Sequence, residues 1–412
     1  MTHALMVALA VVAAGCGPWV TTQESFYLQA SHNWTFRRDH PEADRLFNAF
    51  DYGHAILYET LLTRPDAPAS NLEQRIYAKL TEDVLVNPPR LPLEETTIEP
   101  TYARLVPEAK AMFDWAHVLH RQIYDVLARD GLDSVTKDRE VGRLVRYYRA
   151  RADLAFSIVP KNMSLMQEQP YSLAFRNDYP KFNGLIWAYH WLQVGLYEPL
   201  MVGGSAAERR AGVLAAVGRF RQMLSDPPRS MPHVMPMTPA IAPAFAARYP
   251  EAAIIFDNLH SMHDVVSDVL ANDSVPPAAK RAVILQAARA FRDDTTETMT
   301  VAGWLRMSVG MGIENQGGPS VGFPAALPTP TMAYGAVMRH DRDGNMIGHH
   351  EDDVRPRSRG DRAGGKEQDA EAEDREHRQV PSLGLSRKAA KDPGYCSQQM
   401  VVFVSRRERG LQ

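Results

Sequence analysis

Two segments place one carboxylate and two imidazoles at three-residue intervals: Asp114, His117 and His120, then Asp257, His260 and His263. On an α-helix, residues three apart are neighbours on one face. Each triplet would span an arc of about 120° and a rise of about 9 Å. One metal ion could take the Asp with the first His, or the two His together. Imidazole mixed with carboxylate suits iron, manganese or zinc, whereas imidazole alone suits copper. A metal with open positions can activate dioxygen, peroxide or water.

Two further segments could complete such a site. Asp51, His54 and Tyr58 share a helical face, as do His190, Gln193 and Tyr197. Glu59 and Glu198 lie about 80° away from those faces.

These groups recur because the chain reads as a tandem duplication. Phe113–Ala128 and Phe256–Ala271 both spell F-D-x-x-H-x-x-H-x4-D-V-L-A. Pro107-Glu108-Ala109 matches Pro250-Glu251-Ala252, and Leu57-Tyr58-Glu59 matches Leu196-Tyr197-Glu198. A repeated unit must be sought first, because it sets the fold. Here it predicts repeats over 41–165 and 180–313, packed as one pseudo-twofold domain. Asp51 then corresponds to His190, and His54 to Gln193.

The elements carrying these residues are helical. Apolar spacing of three and four predicts helices over 41–64, 105–130, 136–157, 180–201, 205–224, 245–272 and 277–296, with others at 73–86 and 298–313. Proline clusters at 88–92, 227–243 and 324–330 mark loops. The fold class is all-α.

Four helices with inward polar groups, two bearing carboxylate-x-x-His, resemble the ferritin-like di-metal bundles. There, two helices each contribute a Glu and two contribute Glu-x-x-His. The resemblance implies that Asp114-x-x-His117 and Asp257-x-x-His260 stand for the paired motifs. Asp51 and His190, or Glu59 and Glu198, would stand for the single carboxylates. It implies two metal ions and an oxidoreductase using dioxygen or peroxide. Three imidazoles per half (His54, His117, His120; His190, His260, His263) also resemble the six-histidine dicopper site of type 3 copper proteins, with the aspartates orienting the rings. A plainer alternative is a helical scaffold or binding protein whose Asp–His couples only lock helices together.

The N-terminus reads as an address. Residues 4–14 (ALMVALAVVAA) have the length of a signal-peptide core. Ala13-Ala14-Gly15-Cys16 resembles the lipobox of bacterial lipoproteins, which implies lipidation at Cys16 and removal of residues 1–15. With Gly17 after the cysteine, the expectation is an outer-membrane anchor facing the periplasm. Residues 16–40 read as a linker. From His340 onward the chain is charged and poor in apolar residues, predicting a mostly disordered tail over 340–412.

Composition narrows the alternatives. The 412 residues carry 46 Lys+Arg against 49 Asp+Glu, a net charge of −3, which gives no long-range pull toward nucleic acid. Two cysteines exclude a disulfide framework and a cysteine-based zinc site. Without a Cys-x-x-Cys-His motif, covalent haem is not expected.

Overall fold

The structure is a computed structural model and describes residues 21–64, 68–92, 94–225, 234–332 and 335–350. The signal-like segment, Cys16 and the chain beyond residue 350 lie outside the described residues.

Four long helices carry the candidate residues: α1 (Pro41–Thr63), α2 (Pro107–Ala128), α3 (Pro180–Gly195) and α4 (Pro250–Ala271). Each opens with proline at its first turn, where the missing N–H is not needed and the fixed φ suits a helix. The residue before each proline (His40, Val106, Tyr179, Tyr249) has φ between −129° and −139°. That φ lies in the range to which proline confines its predecessor, outside the helical region. Acidic residues follow in the first turns of α1, α2 and α4 (Glu42, Glu108, Glu251), complementing the helix dipole.

α3 and α4 are the interior helices. Phe182–Gly195 is buried on every side, and so is Ala252–Ala271. A helix buried on every side is the expected centre of a large bundle, and the polar residues it carries there must find partners inside. α1 packs against both, and α2 packs against α4 and the short Tyr197–Val202 helix. The outer layer includes Ser134–Arg149, Ala206–Ser225, Pro277–Arg292 and Val301–Gly310.

Several boundaries differ from the sequence expectation. The stretch predicted as 180–201 breaks between Gly195 and Tyr197. That predicted as 245–272 is two helices, Pro243–Arg248 and α4, divided at Pro250. Residues 21–40 do not form a linker. They hold a 3₁₀ turn (Gln23–Phe26) and a helix (Thr35–Asp39) laid along α2. Leu28 exchanges both backbone hydrogen bonds with Gln122, and Trp34 and Phe36 donate their N–H groups to Asp125.

The expected tail starts too early. Val337–His340 (β1) and Met346–His350 (β2) form an antiparallel hairpin. The intervening turn is built by the Asp341 carboxylate, which accepts from Asp343 N and Asn345 N at 2.9 Å, and by Gly344 at φ 76°. Arg306 donates to Asp343 O at 2.7 Å, and Thr300 N to Arg342 O at 3.1 Å. A polar hairpin held from a distant helix leaves little trace in local composition.

The two halves repeat their contacts in pairs. Asp125 fixes Trp34 and Phe36, while Asp268 fixes Leu173 and Phe175 in the same way. Trp34 and Leu173 both take the left-handed conformation, at φ 64° and 66°. The Tyr58 hydroxyl donates to His263 O and the Tyr197 hydroxyl to His120 O, each at 3.2 Å. Each tyrosine thus reaches the helix of the other half.

Candidate metal centre

Six histidines meet in the buried interior between α1, α2, α3 and α4. His54, His117, His120, His190, His260 and His263 are at most 5% exposed. Ring centroids are 4.3 Å apart for His54 and His263, 5.6 Å for His54 and His190, and 5.7 Å for His190 and His263. His190 and His260 are 4.3 Å apart, His117 and His263 5.6 Å, and His120 and His260 6.1 Å. Phe50 stands edge-on to His54 at 4.2 Å, Phe113 lies 4.1 Å from His263, and Phe256 stacks on His120 at 3.9 Å.

His54, His190 and His263 form the tightest group. Each offers a ring nitrogen, and the three nitrogens lie within 4.8 Å of one another. Neither nitrogen of His190, nor Nδ1 of His263, has a hydrogen-bond partner among the described residues, and His54 has only the Phe50 backbone one turn back. Both nitrogens of His117, Nε2 of His120 and Nδ1 of His260 are likewise without one. A buried polar atom left unpaired costs about 1–3 kcal/mol. Several such atoms facing one another therefore call for a ligand.

Protonation favours coordination. Burial is the leading cause that holds His54 and His260 down to about 3, and it pushes His117, His120, His190 and His263 well below the usual imidazole range. The rings are neutral at physiological pH, the form that binds metal.

The carboxylates singled out in the sequence are held elsewhere. Asp114 is partly exposed and takes both oxygens to Lys110 Nζ at 2.8 Å. Asp257 accepts from Thr238 N and Oγ1 through Oδ1, and from Trp304 Nε1 through Oδ2. Burial pushes it up to about 7 against those hydrogen bonds. Glu198 accepts from Ala244 N and Phe245 N at the start of the Pro243–Arg248 helix. Glu59 does the same for Thr101 and Tyr102 at the start of Pro100–Leu105. Asp51 alone borders the histidines. Its Oδ2 accepts from Arg121 Nη2 at 2.7 Å, and its Oδ1 lies 3.5 Å from His117 Nδ1. Burial pushes it up to about 6, opposed by Arg121.

Sequence spacing drew attention to the two Asp-x-x-His-x-x-His helices, whereas the closest trio takes one residue from each of α1, α3 and α4. Arg121, Thr238 and Trp304, the partners that engage Asp51 and Asp257, carried no motif signal. Among the described residues, no helix is long and apolar enough to cross a membrane. No family model, no curated protein and no solved structure matches the chain.

Proposed function

We propose that this chain is a transition-metal protein whose metal is held by the imidazoles of His54, His190 and His263. The observation carrying this reading is that three neutral, fully buried rings from three helices present ring nitrogens within 4.8 Å of one another, most of them unpartnered among the described residues. A ligand set of imidazoles alone favours copper, zinc or iron over manganese. Three protein ligands leave open positions, the arrangement of catalytic rather than purely structural sites. An oxidoreductase taking dioxygen or peroxide is the enzyme class that fits a copper or iron occupant. Such a metal would supply redox capacity and Lewis acidity. The chain supplies three ring nitrogens, and Phe50 and Phe113 exclude water around them.

The carboxylate-rich ferritin-like arrangement has less support, because Asp114, Asp257 and Glu198 are engaged by other groups. A scaffold reading is favoured by those same engagements, which lock helices together without any metal. The matched contacts of the two halves support a tandem duplication. Export and lipid anchoring rest on residues 4–16, and mass spectrometry of Cys16 in membrane-fractionated protein tests them.

Metal analysis of the purified chain tests the central reading. The expected content approaches one metal or more per chain, and chelation is expected to lower stability, since a ligand bound only to the native state stabilises it. A content below about 0.3 per chain after metal supplementation, with stability unmoved by chelator, would leave the scaffold reading standing.

A further inference from the structure

We propose that Arg219 binds a small oxyanion, a carboxylate or a phosphate, through one edge of its guanidinium. The site lies on the outer Ala206–Ser225 helix and stands whether or not the histidines hold a metal.

Three arginines are buried among the described residues: Arg121, Arg176 and Arg219, the last only 1% exposed. Arg121 pairs with Asp51, and the charge of Arg176 draws down the Asp264 carboxyl. Arg219 has no such carboxylate among the described residues. Burial alone holds it below its ordinary value, with no neighbouring charge to oppose the shift. An ion taken out of water without a partner costs several kcal/mol.

The donors left over define the missing partner. Nη1 is taken up by Gln222 Oε1 at 2.9 Å and by the carbonyls of Pro324 and Ala326 at 3.3 and 3.0 Å. Nε and Nη2 are buried and have no hydrogen-bond partner among the described residues. These two nitrogens share one edge of the planar group. Two parallel N–H donors on one edge match the two oxygens of a carboxylate or a phosphate.

The surroundings suit a small ligand. The Phe323 ring lies 4.8 Å from Arg219 Cζ. Gly318 takes φ 87°, and a Cβ there would stand 3.4 Å from Nη2 and 3.6 Å from Pro328 Cγ. The bare glycine thus leaves space for one oxygen beside Nη2. Its carbonyl accepts from Trp191 Nε1 at 2.8 Å, and Ala325 O accepts from Gln222 Nε2 at 2.8 Å. Between those two ties the covering loop is thin, because residues 321, 322 and 324 are exposed on its far side. Seating the rest of the ion requires this loop to shift outward. Gly317, Gly318 and Gly322, all at positive φ, give it the freedom to do so.

The test is titration of the full chain, dialysed into Tris chloride, with sodium phosphate and separately with sodium acetate at constant ionic strength. Calorimetry reads the stoichiometry, and hydrogen exchange by mass spectrometry reads the loop. One equivalent of at least one anion is expected to bind with a dissociation constant below about 1 mM, with exchange changed in peptides covering 317–328. The anion that binds more tightly names the chemistry of the ligand. Arg219→Lys keeps the charge but loses the paired edge, and is expected to weaken binding by about tenfold or more. No saturable binding of either anion to wild type would overturn the site. Equal affinity in a folded Arg219→Lys chain would place the anion elsewhere and overturn it too. Should that variant not fold, exchange over 317–328 in wild type decides: a change on adding anion supports the site, and none overturns it.

Discussion

The rings of His54 and His263 come within 4.3 Å of each other, centroid to centroid, in an interior where Nδ1 of His263 and both nitrogens of the adjoining His190 have no hydrogen-bond partner among the described residues. The metal-free fold therefore carries unpaired polar atoms that an ion would satisfy. Free metal at about 100 times its dissociation constant is expected to add about 2.7 kcal/mol to stability. Thermal unfolding with and without chelator measures this. His263→Ala should remove most of that gain while the fold survives by circular dichroism; a full gain in the variant would exclude His263 as a ligand.

Acid should destabilise the metal-free protein through the same rings. His54 is held at about 3 in the fold, against the ordinary value near 6.5 in the unfolded chain. Between those values the unfolded chain binds a proton that the folded chain refuses. Stability is therefore full above about 6.5 and falls as pH drops toward 3. The buried aspartates, shifted the other way, are common to wild type and variant and cancel in a comparison. Between pH 7 and 4.5, wild type is expected to lose about 2 to 3 kcal/mol more than His54→Gln in chelator. Urea unfolding at the two pH values checks it, and equal losses would mean that His54 titrates normally.

Glu59 and Glu198 are structural caps in matched places. Each carboxylate accepts two backbone N–H groups at the start of a six-residue helix. Replacing Glu198 by Ala removes those acceptors and is expected to cost about 1–2 kcal/mol, as losing a helix cap does. Bound metal per chain should not change. A drop in metal content at unchanged fold would return Glu198 to the ligand set.

Much of the bundle was legible in the sequence because its signals are local. Pro41, Pro107, Pro180 and Pro250 mark helix starts, and the repeated D-V-L-A marks matched ends, with Asp125 and Asp268 doing identical work on Trp34 and Leu173. All six histidines of the core were visible by type and spacing. Which of them meet was not, because that depends on how four helices cross. Asp-x-x-His spacing puts two groups on one face, but that face is wide enough to divide. Asp114 falls at the rim, where Lys110 one turn back takes it. Asp257 falls under the Val301–Gly310 helix, where Trp304 takes it. Such outcomes are decided by neighbours distant in the chain, as is the order of the 337–350 hairpin.

Asp51 and Arg121 form a buried ion pair beside the histidines, with both side chains less than 5% exposed. Arg121 also lies 4.1 Å over the Phe47 ring and 3.6 Å from an Asp44 oxygen. Removing one partner leaves a charge without compensation in a low-dielectric interior. Arg121→Met is therefore expected to cost about 3–5 kcal/mol. Asp51→Asn made in the same chain removes the stranded charge and should recover part of that cost. A double-mutant cycle by urea unfolding is expected to give a coupling energy above about 1 kcal/mol. Additive effects would mean that the pair contributes no net coupling and that Asp44 alone holds Arg121.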